Sequence, residues 1–179
     1  PAELPRPELR SELEDMGVSF PYALYLGRVE KNKGCETLFR HYLEYVERGR
    51  PALPLVLAGP EFMEVPSHPQ IRPLGFVPEH LRETLLGSAR ALIMPSPYES
   101  LSLVLLEAWN HGVPALVNGG CKVLKGQTLR ANGGLYYHHA NEFIEGLPLL
   151  ATDATLALRL GAQGRAHVVT WYRWPRVMA

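Results

Sequence analysis

Cysteine is scarce: the 179-residue chain holds two, Cys35 and Cys121, far apart and in neither a CxxC nor a Cys/His spacing. So sparse a pair argues against a disulfide framework and against zinc, and a reduced, cytoplasmic chain is expected. Long apolar runs are missing as well. No stretch approaches the roughly 20 residues of a spanning helix, so no transmembrane segment is expected. Neither charge is in excess, since 18 basic side chains face 18 acidic ones for a formal net charge of zero. That balance gives no net field toward nucleic acid or an anionic lipid surface, and neither is expected as a partner. Neither GxGxxG nor GxxxxGK[ST] occurs, which removes the main support for a nicotinamide or P-loop site. The chain opens at Pro1 with no initiator Met and no signal-peptide pattern, as expected of an excised domain.

What is present is a repeating alternation of strand and helix. PAELPRPELRSELEDMG carries three prolines and no sustained apolar period, so residues 1–20 read as an interdomain linker with a short helix near Glu8–Met16. Residues 21–179 form the domain, long enough to bury roughly 70% of their unfolded surface. YALYLG, LPLVLAG, IRPLGF, ARALIMPS, PALVNGG and GLYY read as strands. TLFRHYLEYV puts Leu38, Phe39, Tyr42, Leu43 and Val46 on one helical face, PEHLRETLL is a helix begun by Pro78, and SLVLLEAWNHG is one closed by Gly112. A Leu/Ala-rich helical tail runs from Asn141. Buried strands alternating with helices predict a doubly wound, mostly parallel, Rossmann-like α/β sheet. Ligands of such sheets bind beyond the carboxyl ends of the strands.

Two strand-to-helix turns carry chemistry. In LGRVEKNKGCETL, Arg28 and Lys33 flank a helix expected to start near Gly34. Two cations beside a helix N-terminus suit a diphosphate, although the spacing alone fits ordinary solvated charges equally well. In SPYESLSLVLLEAW, Ser102 is the expected N-cap, Glu99 falls in the loop before it and Glu107 on the second helical turn. Glu107 sits among Leu103, Val104, Leu105, Leu106, Ala108 and Trp109, and a carboxylate so placed needs a dedicated partner. Two partners suit it: a ribose diol, or an Arg or Lys from a neighbouring element.

These stretches resemble the C-terminal, donor-binding domain of the retaining GT-B glycosyltransferases of family four (glycosyl transferases group 1). GRVEKNKG fits the family's G-R-x4-K-G turn and PYESLSLVLLEA its paired-glutamate motif, with LVLAG, LGFVPEHL, ARALIMPS and GVPALVNGG in the family's order. The resemblance implies one half of a two-domain enzyme that transfers a hexose-type sugar from a nucleotide diphosphate sugar with retention. Arg28 and Lys33, on the turn begun by Gly27, would bind the diphosphate without a metal or other cofactor. Glu99 would contact the transferred sugar, and the backbone of Ser100, Leu101, Ser102 and Leu103 would contact sugar or phosphate. Glu107 would hold the ribose, and backbone groups from Gly75 through Val77 to Pro78 would hold the base. Glycine or proline is usual near Ser102, so a narrower sugar pocket is expected here. The acceptor site would belong to the enzyme's own N-terminal domain, leaving the isolated chain inactive. Donor base, donor sugar, acceptor and oligomeric state are not fixed by these residues. A non-catalytic nucleotide-binding module and a sugar epimerase of similar fold are the alternative functions.

The segment Gly119–Tyr137 departs from the commonest family pattern. Its Lys122, Lys125 and Arg130 either line the cleft or are solvated charges of a surface helix. His138 and His139 lack a third ligand and read as structural, and His111 as part of a helix C-cap before Gly112. Trp171, Tyr172 and Trp174 are expected to form an exposed aromatic cluster where the family's chain turns back toward its other domain.

Overall fold

The computed structural model describes residues 7–172. Its six strands are β1 (Ala23–Leu26), β2 (Leu55–Ala58), β3 (Ile71–Pro73), β4 (Ala91–Met94), β5 (Ala115–Asn118) and β6 (Gly134–Tyr137). They form one sheet in the order β3-β2-β1-β4-β5-β6, every neighbouring pair parallel. This is the doubly wound arrangement expected from the sequence. The central strands are short and almost wholly apolar because helices cover both of their faces, leaving no polar side to alternate with.

The helices are α1 (Pro7–Asp15), α2 (Cys35–Glu47), α3 (Glu79–Gly87), α4 (Leu103–Asn110), α5 (Lys122–Ala131), α6 (Ala140–Thr152) and α7 (Ala154–Trp171). One layer of core gathers Leu13, Leu85, Trp109 and Leu124 from α1, α3, α4 and α5. The opposite layer gathers Phe39, Tyr42, Phe143 and Leu147 from α2 and α6. Trp109 shows how tightly α4 is fastened. Its indole N–H donates to the Gly133 carbonyl at 2.8 Å, and a Cβ on Gly164 of α7 would lie 2.5 Å from its ring. Only glycine lets the helices approach that closely.

Most boundaries follow local rules. The Ser102 hydroxyl caps α4 by accepting from the Leu105 N–H at 3.3 Å. His111 ends that helix, and Gly112, at φ +75°, turns the chain left-handed. Asp153 divides the helical tail, its carboxylate accepting from the Leu156 N–H at the start of α7. Elsewhere the sequence reading needed correction. IRPLGF is a strand only as far as Pro73, at the sheet edge, where proline's missing N–H disturbs no interior ladder. The short helix expected near Glu8–Met16, by contrast, is present as α1, with Leu13 fully buried where it meets α3. Of the aromatics expected to be exposed, Trp171 is exposed and Tyr172 is not. Tyr172 packs on the core with its ring 5.8 Å from that of His167, while Trp171 is 54% exposed. Trp174 lies outside the described residues.

Candidate functional site

The sheet order reverses direction between β1 and β4, so the turns that leave these two strands diverge and open a crevice. Both charged turns lie there. After β1, a 3-10 turn at Lys31–Lys33 runs into Gly34, at φ +78°, where α2 begins. A Cβ on Gly34 would sit 2.3 Å from the Pro95 carbonyl oxygen, so the turn presses against the loop that follows β4. The Ser96 hydroxyl joins them, donating to the Lys33 carbonyl at 3.4 Å.

Across this contact the Lys33 ammonium donates to Glu99 at 2.9 Å. The two side chains come from loops 66 positions apart. With Ser100 they line a cleft of 580 Å³, whose other wall is Gly120, Cys121 and Lys122. A larger hollow, 660 Å³, lies on the outer face of α2 beside Phe39, Leu43 and Met63, and none of the expected site residues lines it.

Arg28 stands apart from the cleft lining: its side chain is 59% exposed and pairs with Glu30 at 3.1 Å. Glu107 is half-exposed and pairs with Arg82 of α3. Of the two partners the sequence allowed it, the protein side chain is the one seen. Gly27, Gly59 and Gly75 meet at the ends of β1, β2 and β3. The Gly59 N–H donates to the Gly75 carbonyl at 2.7 Å, and a Cβ on Gly59 would lie 2.1 Å from the Gly27 oxygen. The loops that follow β1, β2 and β3 are thus tied through backbone. Val77 is buried in the core, whereas Ser100, Leu101 and Leu103 are exposed. Ser102 is buried as the helix cap.

The divergent segment takes part in one respect. Lys122, at the start of α5, lines the cleft. Lys125 instead lies over the Tyr136 ring, 4.5 Å from its centroid, and 3.3 Å from His138 Nε2. Arg130 belongs to the last turn of α5. His138 stacks edge-on to Tyr136, and His139 lies 3.4 Å from Glu142. Cys35 and Cys121 are buried free thiols.

Sequence reasoning did not single out Glu30 or Arg82. Glu30 had a signal, being two residues from Arg28 in a turn rich in cations. Arg82 could be found only by placing α3 and α4 on the same side of the sheet, where the helices touch.

A parallel α/β sheet with opposed charges at its reversal point defines a doubly wound domain with a polar cleft at its ligand edge. The chain belongs to the glycosyl transferases group 1 family, whose model matches residues 20–153. It is 34% identical to the O-antigen chain mannosyltransferase B of Escherichia coli over 105 residues, 53% of this chain and 28% of that one. The C-terminal domain of a glycosyl transferase group 1 family protein (LpcC) from Francisella tularensis superposes with a TM-score of 0.73 at 16% identity, over 95% of each chain. Anabaena HepE, solved in complex with UDP-glucose, superposes with a TM-score of 0.74 at 16% identity, over 92% of this chain and 49% of that one. The fold is therefore that of the C-terminal domain of GT-B glycosyltransferases. The chain spans about a third of the curated relatives it matches, 28% and 35% of their lengths. Among the described residues no helix is long and apolar enough to cross a membrane.

Proposed function

We propose that this chain is the donor-binding half of a retaining glycosyltransferase, working in the cytoplasm on a nucleotide diphosphate sugar. The Lys33–Glu99 contact carries the reading, because it joins a cation suited to phosphate and a carboxylate suited to sugar hydroxyls at one point of the crevice. The UDP-glucose bound by HepE supports the ligand class. As the bond between the anomeric carbon and the diphosphate oxygen breaks, negative charge grows on the diphosphate. Arg28 and Lys33 stabilise it, with no metal in that role. Glu99 accepts hydrogen bonds from the transferred sugar, beside the backbone of Ser100–Leu103. Glu107 accepts from the ribose diol while Arg82 steadies it, and the backbone at Gly75 and Val77 meets the base. An N-terminal domain of the same protein brings the acceptor, whose hydroxyl oxygen takes the sugar on the face the diphosphate leaves while its proton passes to the departing diphosphate oxygen.

Calorimetry on Arg28→Ala and Lys33→Ala tests the assignment, using UDP and GDP against uridine and guanosine. Each substitution should weaken the diphosphates roughly ten- to a hundred-fold, the worth of a charged hydrogen bond, and leave the nucleosides unchanged. Equal losses for diphosphate and nucleoside would mean that these residues act on the fold.

A further inference from the structure

Strand β1 reads Ala23, Leu24, Tyr25, Leu26, with a single polar tip in an otherwise apolar run. That tip is buried, Tyr25 being 2% exposed. Its hydroxyl donates to the Arg28 carbonyl at 2.6 Å, and the Cys35 thiol lies 3.9 Å from the same oxygen. A phenylalanine would fill the space equally well, and a buried hydroxyl without a partner is costly. What tyrosine adds at this position is therefore the bond to residue 28.

We infer that Tyr25 is a positioning residue for diphosphate recognition, acting through the backbone of Arg28. The inference rests on the donor-binding reading above. The bond holds the Arg28 carbonyl on the buried Tyr25 hydroxyl, so that the negative end of that peptide dipole is occupied by a donor. Released, the oxygen could swing toward a bound diphosphate and repel it. The same bond fixes where the Arg28 side chain starts, which matters because that side chain is mostly exposed and its ion pair is with Glu30, only two residues on. The turn is then pinned at both ends: by Tyr25 where it leaves β1, and by Gly34 against Pro95 where it enters α2. Burial raises the Tyr25 phenol and the Cys35 thiol above their ordinary pKa values, so both stay neutral at working pH and the hydroxyl remains a donor.

The protein carries its own control. The Tyr22 hydroxyl donates to the Leu85 carbonyl at 2.5 Å, also buried, but Tyr22 stands just before β1, at the opposite end of the sheet from the crevice. Tyr25→Phe and Tyr22→Phe thus delete the same chemical group, each from a buried site, on opposite layers of the core. Melting curves confirm folding, and calorimetry then measures UDP, GDP and the matching nucleosides. Tyr25→Phe should weaken both diphosphates about three- to tenfold with nucleoside affinity unchanged, and Tyr22→Phe should alter neither. The inference is overturned if Tyr25→Phe binds diphosphates as the unmodified protein does, if it loses diphosphate and nucleoside equally, or if Tyr22→Phe matches it. If the unmodified protein binds no nucleoside diphosphate, the donor-binding reading itself fails, and the inference with it.

Discussion

Glu107 illustrates how a single residue can be legible in type and not in partner. Its place in an apolar helix shows that the carboxylate needs company, but Arg82 arrives from 25 positions away, across a contact that a local pattern does not record. Arg28, Lys33 and Glu99 were easier to find because their turns follow strands whose ends are plain in the sequence. The Arg82–Glu107 pair is partly solvated, with side chains 25% and 40% exposed, so it contributes about 0–1 kcal/mol. Glu107→Gln should then lower the melting temperature by no more than about 4 °C. If the carboxylate also holds a ribose, the substitution weakens UDP by about tenfold and leaves 2′-deoxy-UDP unchanged. Melting curves and the two titrations decide it. Equal affinity of the variant and the unmodified protein for UDP would leave Glu107 a structural partner only.

At the level of elements, strands were read correctly wherever both faces are buried, since a short unbroken apolar run has few other uses. The edge strand β3 was read too long because Leu74 and Phe76 prolong the apolar pattern past the point where pairing with β2 ends. Lys122 and the wall it forms were harder to foresee, because only the packing of α5 against β5 and β6 brings the start of that helix to the cleft. The contact of α2 with α6 has a consequence for stability. His41 is buried beside the rings of Tyr137 and Phe143, with Nδ1 lacking a hydrogen-bond partner among the described residues. Burial lowers its pKa below 6.5, Arg40 and His139 push the same way, and Glu44 opposes them. The folded pKa is thus below the unfolded one, so stability is fully present above about pH 6.5 and is lost as the pH falls through that value. The melting temperature should drop between about pH 7.5 and pH 5, and His41→Phe should drop less over the same interval. An identical slope in the variant would assign the loss to other groups, such as His167, whose pKa burial also lowers.

The whole molecule presents one face that looks made for covering. Phe62, Phe76, Tyr98 and Leu103, on the segments that follow β2, β3 and β4, are each more than 60% exposed around the ligand edge. A single wall can hold a donor, but transfer needs an acceptor in attack geometry and water kept out, worth roughly 7–11 kcal/mol when fully realised. The chain alone should therefore bind nucleoside diphosphate, show no sugar transfer, and self-associate through these apolar side chains at high concentration. Light scattering and a sugar-release assay on the chain alone and on the chain joined to the proposed N-terminal domain check this. Turnover by the lone chain at the rate of the joined form would sink the two-half account. A different consequence follows from the way Lys33 already grips Glu99. An incoming diphosphate does not meet a bare cation; it trades places with a carboxylate, and dissolved salt loosens the old pairing about as much as the new. Affinity for UDP should therefore change by less than about threefold between roughly 0.05 and 0.5 M sodium chloride. In Glu99→Gln, where the phosphate has no rival, binding should be tighter at the low end and should fall away more steeply.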